Sequence, residues 1–168
     1  TLRHPLRVKK IKERTYSVDG TPVDCVNLAL GVVMPEWPTI LISGINEGSN
    51  LGNDIYYSGT VAAAIRGAFL KIPAIAISII DVRPHHYDTA ANIALRIVKS
   101  VLQYSIPAGT LLNVNVPDLP LSEIQGIEIT RQDRTSYAPT LEKRIDPKGF
   151  EYYWLRGYRE NPKDPDGT

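Results

Sequence analysis

The sequence predicts an α/β fold, in which helices cover both faces of a mostly parallel sheet. Short apolar runs without alternation recur along the chain, as expected for strands that are buried on both faces. Amphipathic helical patterns separate these runs. The resulting order of strand, helix, strand, helix and strand is typical of parallel strands that are joined by crossover helices.

The N-terminal part is predicted to form a hairpin and then a helix. Residues 5–20, "PLRVKKIKERTYSVDG", have the pattern of two short strands joined by a turn. Thr21 is suited to the N-cap of the next helix, and Pro22 to its first position. Asp24 lies in the first turn, where the helix dipole favours an anion. We expect the helix to end at Met34, before a proline.

The central part supplies the alternating elements of the sheet. They are a strand at 39–44, a helix from Ser58, a strand at 73–79, a helix at 89–104 and a strand at 110–116. A fourth strand is expected at 126–132, "GIEITRQ". Layered α/β architecture follows from this alternation.

The last third of the chain predicts a long β-hairpin that projects from the sheet. Its two apolar runs flank Asp146–Gly149, a turn with proline at its second position and glycine at its fourth. The aromatic cluster Tyr152, Tyr153 and Trp154 favours packing or a subunit contact over chemistry. We therefore expect three regions: an α/β core at 1–135, a hairpin for oligomerisation at 136–160, and a mobile tail at 161–168.

Composition excludes several classes of function. Of 168 residues, 43% are hydrophobic and 22% charged, and the formal net charge is +1. This balance gives no electrostatic footprint for a DNA or RNA duplex or for an anionic membrane, and no apolar run is long enough to span a bilayer. Cys25 is the only cysteine, so no intrachain disulfide can form, and a cytoplasmic location is expected. Cys25 lies on an apolar helical stripe and is expected to be a core thiol.

The polar stretch after Gly44 is the strongest candidate for a functional loop. Connections in α/β units usually span about 2–6 residues, and longer ones are commonly functional. Ligands of such folds bind beyond the carboxyl ends of strands, where Asn46 would lie. Its side-chain oxygen is a neutral, hard ligand suited to Mg²⁺ or Mn²⁺. Alternatively, Asn46, Asn50 and Asn53 could simply form Asx turns.

The segment Ser58-Gly59-Thr60 favours the functional interpretation. Ser58 is a good N-cap, Gly59 allows a ligand to approach the backbone, and Thr60 adds a second hydroxyl. Free N–H groups, hydroxyls and the helix dipole together form an anion site. A metal ligand at one end of the loop and a phosphate site at the other indicate phosphoryl chemistry.

Other candidates carry less information. His85 and His86 are adjacent in a turn, and we expect both to be exposed to solvent. Arg131 and Arg134 could bind phosphate or form an ion-paired surface edge. The sequence contains no G-x-S-x-G elbow, no Walker A pattern and no paired-cysteine zinc spacing.

Residues 43–64, "SGINEGSNLGNDIYYSGTVAAA", closely resemble the signature of the SurE family, the stationary-phase survival nucleotidases. Further similar segments follow in the family's order: "PLRV", "GTPVDCV", "IPAIAIS", "LLNVNVP", "ITRQ" and "DPKGFEYYWLRG". This resemblance implies a Rossmann-like sheet and a metal-dependent phosphatase that acts on nucleoside monophosphates. It also implies homodimers or homotetramers that are built through extended hairpins.

The resemblance also implies roles for individual residues. Asn46 matches the family's metal-binding asparagine, and Asn50 matches an asparagine beside the site. Ser58, Gly59 and Thr60 match the residues that contact phosphate. Arg66 is a departure, because many members carry glutamate there.

A second departure concerns the catalytic groups. The family opens with "NDDG", whose aspartates bind the metal, and a serine ligand follows; none of these has a counterpart in this sequence. We expect the chain to lack that N-terminal segment and the family's closing segment, and we assign no catalytic residue.

The sequence therefore predicts a cytoplasmic 5′-nucleotidase that requires Mg²⁺ or Mn²⁺. Activity on 3′-nucleotides and on polyphosphate stays open. Two alternatives are a nucleotide- or phosphate-binding fragment without hydrolytic activity and an oligomerisation module that uses the hairpin.

Overall fold

The computed structural model describes residues 4–81, 83–133 and 136–160. Its strands are β1 (Val8–Lys12), β2 (Thr15–Val18), β3 (Leu41–Glu47), β4 (Ala74–Ile80), β5 (Leu111–Pro117), β6 (Ser136–Ile145) and β7 (Glu151–Glu160). Its helices are α1 (Pro22–Leu28), α2 (Gly59–Phe69) and α3 (Tyr87–Tyr104). Short helical turns occupy Ala29–Val33, Gly52–Tyr56 and Leu121–Glu123.

The described residues divide into two compact units. The first lies within Thr1–Asn50 and Tyr56–Gly126, and the second within Leu51–Ile55 and Ile127–Thr168. The predicted division at residue 135 stays a prediction, and the tail at 161–168 lies outside the described residues.

The first unit is built on a parallel sheet with the strand order β3-β4-β5. Helices α2 and α3 each contact all three strands. This arrangement confirms the predicted α/β fold with a mostly parallel sheet. In the part of the chain that the structure describes, no helix is long and apolar enough to cross a membrane.

The central strand β4 is buried on both of its faces, as its unbroken apolar pattern predicts. Ile75, Ile77 and Ile79 are fully buried and pack in one cluster with the apolar side of α3. Ala74 lies on the opposite face, where a Cβ added at Gly67 of α2 would be only 3.2 Å from the Cβ of Ala74. Each buried isoleucine contributes about 1.5–3 kcal/mol.

Strand β3 contains a β-bulge between Ser43 and Asn46. Ser43 is aligned with Ala76 of β4, whereas Asn46 is aligned with Ser78, so β3 holds one additional residue between these pairs. A bulge redirects the side chains that follow it. Here it places Asn46 on the same face of the sheet as Ser78.

The bulge depends on a glycine. Gly44 has φ = 136°, and a Cβ at this position would lie 2.3 Å from the carbonyl oxygen of Ile77. The prediction that the strand ends at Gly44 was wrong, because β3 continues to Glu47. A glycine in a strand can mark a bulge as well as an end.

The predicted hairpin and first helix at the N-terminal side are confirmed. Strands β1 and β2 pair in antiparallel fashion. In α1, the Thr21 hydroxyl accepts the N–H of Asp24 at 3.2 Å, and the Asp24 carboxylate accepts the N–H of Thr21 at 2.9 Å. This reciprocal pair is a capping box. Cys25 is exposed, so the expected core thiol was wrong; Asp24 is the buried residue of α1.

The second unit contains the predicted C-terminal hairpin, in which β6 and β7 pair along their full length. Its turn is held by Asp146, whose carbonyl accepts the N–H of Gly149 at 3.0 Å and whose carboxylate accepts the N–H of Phe150 at 2.9 Å. The strand expected at 126–132 is absent from the described residues, where this stretch has no partner strand and leaves Ile129 98% exposed.

Candidate functional site

The N-terminus of α2 is built as the sequence predicts. Ser58 is the N-cap, with an extended backbone, and its hydroxyl oxygen accepts the N–H of Val61 at 3.2 Å. The N–H groups of the first turn lack carbonyl partners within the helix, and they carry its positive dipole end. Ser58, Gly59 and Thr60 therefore form a turn that suits an anion.

Gly59 also has a packing role. A Cβ at this position would lie 3.2 Å from the Cγ of Pro22, which belongs to α1. The absence of a side chain thus allows α1 to approach the start of α2 closely. This contact explains the glycine without excluding approach of a ligand to its exposed backbone.

The two ends of the polar loop meet at Asn46 and Thr60. The Thr60 hydroxyl donates to Oδ1 of Asn46 at 3.2 Å. The Asn46 amino group donates to the carbonyl oxygens of Glu47 at 3.1 Å and Gly48 at 2.8 Å. Because both donor hydrogens are engaged, the amide presents its oxygen toward the start of α2. The structure thus joins the predicted metal ligand to the predicted anion site.

Asn50 is 6% exposed and anchors the same loop to the sheet. Its side-chain amino group donates to the hydroxyl of Ser78 at 2.7 Å. Its backbone N–H donates to Oδ1 of Asn115 at 2.8 Å, and its carbonyl accepts from Asn113 at 2.9 Å. One of the two N–H hydrogens of the Asn50 side chain is therefore engaged, and contact with phosphate stays a prediction for this residue.

Asn113 and Asn115 escaped the sequence analysis, although they interrupt an apolar strand at alternate positions. They are aligned with Ala76 and Ser78, so they share the α2 side of the sheet with Asn46. The Oδ1 atom of Asn113 is buried and accepts no hydrogen bond within the described part of the chain. Alternating asparagines at a strand's carboxyl end were the available signal.

A second polar cluster lies on the α3 side. The Asp118 carboxylate accepts the backbone N–H groups of His85 at 3.0 Å and His86 at 2.8 Å. Nδ1 of His86 lies 2.9 Å from the same carboxylate. The expected solvent exposure is confirmed for His85 but was wrong for His86, which is partly buried. Burial raises the pKa of Asp118, but these hydrogen bonds from His85 and His86 outweigh it and lower the pKa below its ordinary value.

Tyr87 connects this cluster to the end of β3. Its hydroxyl donates to the Glu47 carboxylate. The hydrogen bond raises the pKa of Tyr87, with burial and the negative charges of Glu47 and Asp118 as further causes, so the phenol remains a donor at neutral pH. Neither Tyr87 nor Glu47 was singled out from the sequence, because only the fold brings them together.

Arg66 joins two helices of the first unit, and phosphate binding by Arg131 or Arg134 stays a prediction. Arg66 donates through Nε to Oδ1 of Asn27 at 2.8 Å, and this hydrogen bond links α2 to α1. Its replacement of glutamate therefore affects a contact between helices. Arg131 is exposed, and Arg134 lies outside the described residues.

The oxygen atoms around Asn46 define what the site can bind. Among the described residues, no three histidine, cysteine, aspartate or glutamate side chains lie close enough together to hold a metal ion. Asn46 Oδ1 and the Thr60 hydroxyl are neutral oxygen donors, the kind that Mg²⁺ and Mn²⁺ accept. The donor set therefore fits one ligand position of a hard cation beside a helix end whose N–H groups suit an anion.

The chain is similar in sequence to known proteins. The family model described as survival protein SurE matches residues 1–139. The 5′-nucleotidase SurE of Legionella pneumophila (strain Lens) is 50% identical over 155 residues, which cover 92% of this chain and 62% of that protein. The 5′-nucleotidase SurE of Geotalea daltonii is 46% identical over 169 residues, covering 100% of this chain and 68% of that protein.

A solved structure is similar as well. The crystal structure of SurE protein from Aquifex aeolicus superposes with a TM-score of 0.80 at 45% identity, covering 94% of this chain and 64% of that one. The chain thus spans less than two thirds of the length of the Legionella and Aquifex proteins.

Proposed function

Because the chain belongs to the SurE family, we propose that it acts in a metal-dependent phosphomonoesterase that hydrolyses nucleoside 5′-monophosphates. Relatives that are 46–50% identical carry the name 5′-nucleotidase SurE, which supports this substrate class. The observation that carries the proposal is the hydrogen bond of 3.2 Å between Thr60 and Asn46. It places a metal-ligand candidate directly beside a helix end suited to phosphate.

In this proposal the start of α2 binds the phosphate group. The N–H groups of Gly59 and Thr60 and the Ser58 hydroxyl donate to phosphate oxygens, and the helix dipole stabilises the negative charge. Because these donors are held before the substrate arrives, they also stabilise charge that develops during displacement.

Asn46 would hold a divalent ion, Mg²⁺ or Mn²⁺, through Oδ1. Such an ion, when bound, neutralises phosphate charge and lowers the pKa of a water ligand. A neutral amide suits this position because it does not repel the phosphate. Asn50 would keep the loop on the sheet and lie beside the phosphate. We assign the general base or nucleophile to no residue of this sequence.

The proposal extends to assembly and location. We propose a homodimer or homotetramer formed through β6 and β7, whose exposed apolar side chains suit a subunit contact. We place the protein in the cytoplasm because it uses a single, unpaired cysteine. A phosphate-binding fragment without hydrolysis and an oligomerisation module are the competing functions.

Phosphate release from a nucleoside 5′-monophosphate, with and without Mn²⁺, tests the proposed function. We expect Mn²⁺-dependent release by the full-length protein. Asn46→Ala should shift the half-saturating Mn²⁺ concentration upward, whereas Asn92→Ala, an exposed asparagine of α3, should not. Parallel assays with 3′-monophosphates and polyphosphate examine the open substrate classes.

Two substitutions at Ser58 separate phosphate binding from helix capping. Ser58→Ala removes the cap and one donor and should raise KM about tenfold, as for a lost hydrogen bond to a charged group. Ser58→Asp keeps a good N-cap but repels phosphate, so KM should rise further while the helix stays stable.

Mn²⁺-independent release of phosphate, or no release by the full-length protein, would contradict the enzyme proposal.

A further inference from the structure

We propose that Tyr87 is a positioning residue for Asn46 and that it acts through Glu47 from the opposite side of the sheet. This inference rests on the proposed function, in which Asn46 Oδ1 is a metal ligand. A series of hydrogen bonds carries it, in which successive bonds are joined through the backbone between His86 and Tyr87 and through Glu47. The series starts at the carboxyl end of β5, passes through the start of α3, and ends at the Asn46 amide.

The inner link orients the amide. The carbonyl oxygens of Glu47 and Gly48 accept both donor hydrogens of Asn46, at 3.1 and 2.8 Å. The N–H of Gly48 donates to the carbonyl of Ile79 at 3.0 Å, which ties this backbone to β4. The backbone position of Glu47 therefore helps to decide which end of the Asn46 amide faces α2.

The middle link holds Glu47. Glu47 is aligned with Ile79, whereas Asn46 is aligned with Ser78, so the two neighbouring side chains leave the sheet on opposite faces. The Glu47 side chain is exposed and would sample several rotamers if it were alone. The Tyr87 hydroxyl donates to its carboxylate and restrains it.

The outer link fixes Tyr87. Tyr87 is the first residue of α3, and the N-cap His86 provides no side-chain cap. Asp118 takes over this task from the end of β5, because it accepts the N–H groups of His85 at 3.0 Å and His86 at 2.8 Å. The tyrosine that restrains Glu47 is thus itself anchored to a third strand.

This arrangement suits metal binding because residues behind a ligand set its orientation and affinity. The competing explanation is that Tyr87 and Glu47 only fasten α3 to the sheet. That role would affect stability, but not the affinity for a metal. The two explanations therefore differ in a quantity that can be measured without turnover.

Titration calorimetry of the full-length protein with Mn²⁺ tests the inference. Tyr87→Phe removes one hydroxyl and preserves the ring, so it should weaken Mn²⁺ binding about three- to tenfold, less than the loss typical of a direct partner of a ligand. Tyr104→Phe is the matched control: it is the last residue of α3, it is 76% exposed, and it should bind Mn²⁺ like the wild type.

Substitutions at Glu47 show whether Tyr87 acts through it. Glu47→Gln and Glu47→Ala remove the same charge, but only glutamine retains an acceptor for Tyr87. We therefore expect Glu47→Ala to bind Mn²⁺ more weakly than Glu47→Gln. The double variant Tyr87→Phe/Glu47→Ala should bind no more weakly than Glu47→Ala alone.

The possible results separate the positioning role of Tyr87 from the proposed metal site. If Asn46→Ala weakens Mn²⁺ binding while Tyr87→Phe leaves it unchanged, the positioning role is wrong and the proposed function stands. Losses that add fully in the double variant also overturn the positioning role. If the wild type binds no Mn²⁺, the proposed metal site fails, and the positioning role fails with it.

Discussion

Gly44 shows how strongly the candidate site depends on single residues. Its positive φ and the contact of 2.3 Å that a Cβ would make with the Ile77 carbonyl leave room for glycine alone. Such a position lies two residues before Asn46, within the bulge that orients the asparagine. The backbone geometry at Gly44 therefore helps to set the direction of the Asn46 side chain in the candidate site.

Gly44→Ala should destabilise the fold by at least about 2 kcal/mol, because the new methyl group must displace backbone of the central strand. Thermal or urea unfolding measures this loss. Gly31→Ala is the control, since a Cβ there would meet no atom within 4 Å, and it should change stability little. A Gly44→Ala protein as stable as the wild type would contradict the need for glycine in the bulge.

Among single residues, the sequence identified candidate site residues at the ends of strands and the starts of helices better than those inside strands. Asn46, Ser58 and Thr60 stand out because polar residues follow an apolar run and open a helix. Ser78 and Asn113 lie within strands, and their partners are 28 and 63 residues away along the chain. Such contacts depend on strand order and register, which a single sequence does not determine.

Among the elements, α3 differs from the other helices in the origin of its cap. Helices α1 and α2 are capped by their own Thr21 and Ser58, and both caps were predicted from the sequence. The start of α3 is instead held by Asp118, which follows β5. A cap supplied by another element leaves no local signal.

Asp118→Asn should lower the melting temperature at neutral pH. The lowered pKa of Asp118 means that its carboxylate stabilises the folded state above its ordinary pKa of 3.8, and that this stabilisation is lost as pH falls through the folded-state pKa. The gap between wild type and variant should therefore be full at about pH 6 and close below about pH 4.

Thermal unfolding at several pH values measures this gap. Asp88→Asn provides the comparison, because it removes an exposed carboxylate from the first turn of the same helix without removing the anchor. An Asp118→Asn gap that stays constant between pH 3 and pH 7 would contradict the ionised cap.

Element types were predicted well where the hydrophobic pattern was clear, as in β4, α2 and α3. The failure at 126–132 has a physical cause. Its apolar alternation fits a strand, but a strand also needs a hydrogen-bonded neighbour, and the described residues provide none there. The predicted end of β3 at Gly44 was wrong, because a glycine can form a bulge inside a strand as well as end one.

For the whole molecule, the hairpin of β6 and β7 is the feature that most needs a partner. One of its faces presents Leu141, Ile145, Tyr153 and Leu155, and these side chains are 65, 64, 55 and 72% exposed. A two-stranded hairpin is at best marginally stable by itself in water. These four exposed apolar side chains share the face with the ion pair of Lys143 and Glu151, and they support the proposed subunit contact.

Leu155→Glu should shift the full-length protein toward smaller species, because a buried charge at a subunit contact is unfavourable. Light scattering coupled to size-exclusion chromatography measures the assembly. Arg144→Gln, an exposed position on the other face of the hairpin, should leave it unchanged. An assembly that tolerates Leu155→Glu would exclude this face as the contact.

At the scale of the whole molecule, the sequence predicted the α/β class with a mostly parallel sheet and the long antiparallel hairpin of β6 and β7. Assembly stays a prediction, since it depends on how the surfaces of two copies fit together, which a single copy does not show.

The bulge in β3 also decides which charge the anion site meets. With regular pairing after Ser43, Asn46 would lie opposite Ile79 and would face α3, while Glu47 would turn toward the start of α2. A carboxylate would then stand beside the helix end and would repel an incoming phosphate. The additional residue in this strand thus decides which side chain faces the start of α2. It presents the neutral amide of Asn46 there and keeps the negative charge of Glu47 on the α3 face of the sheet.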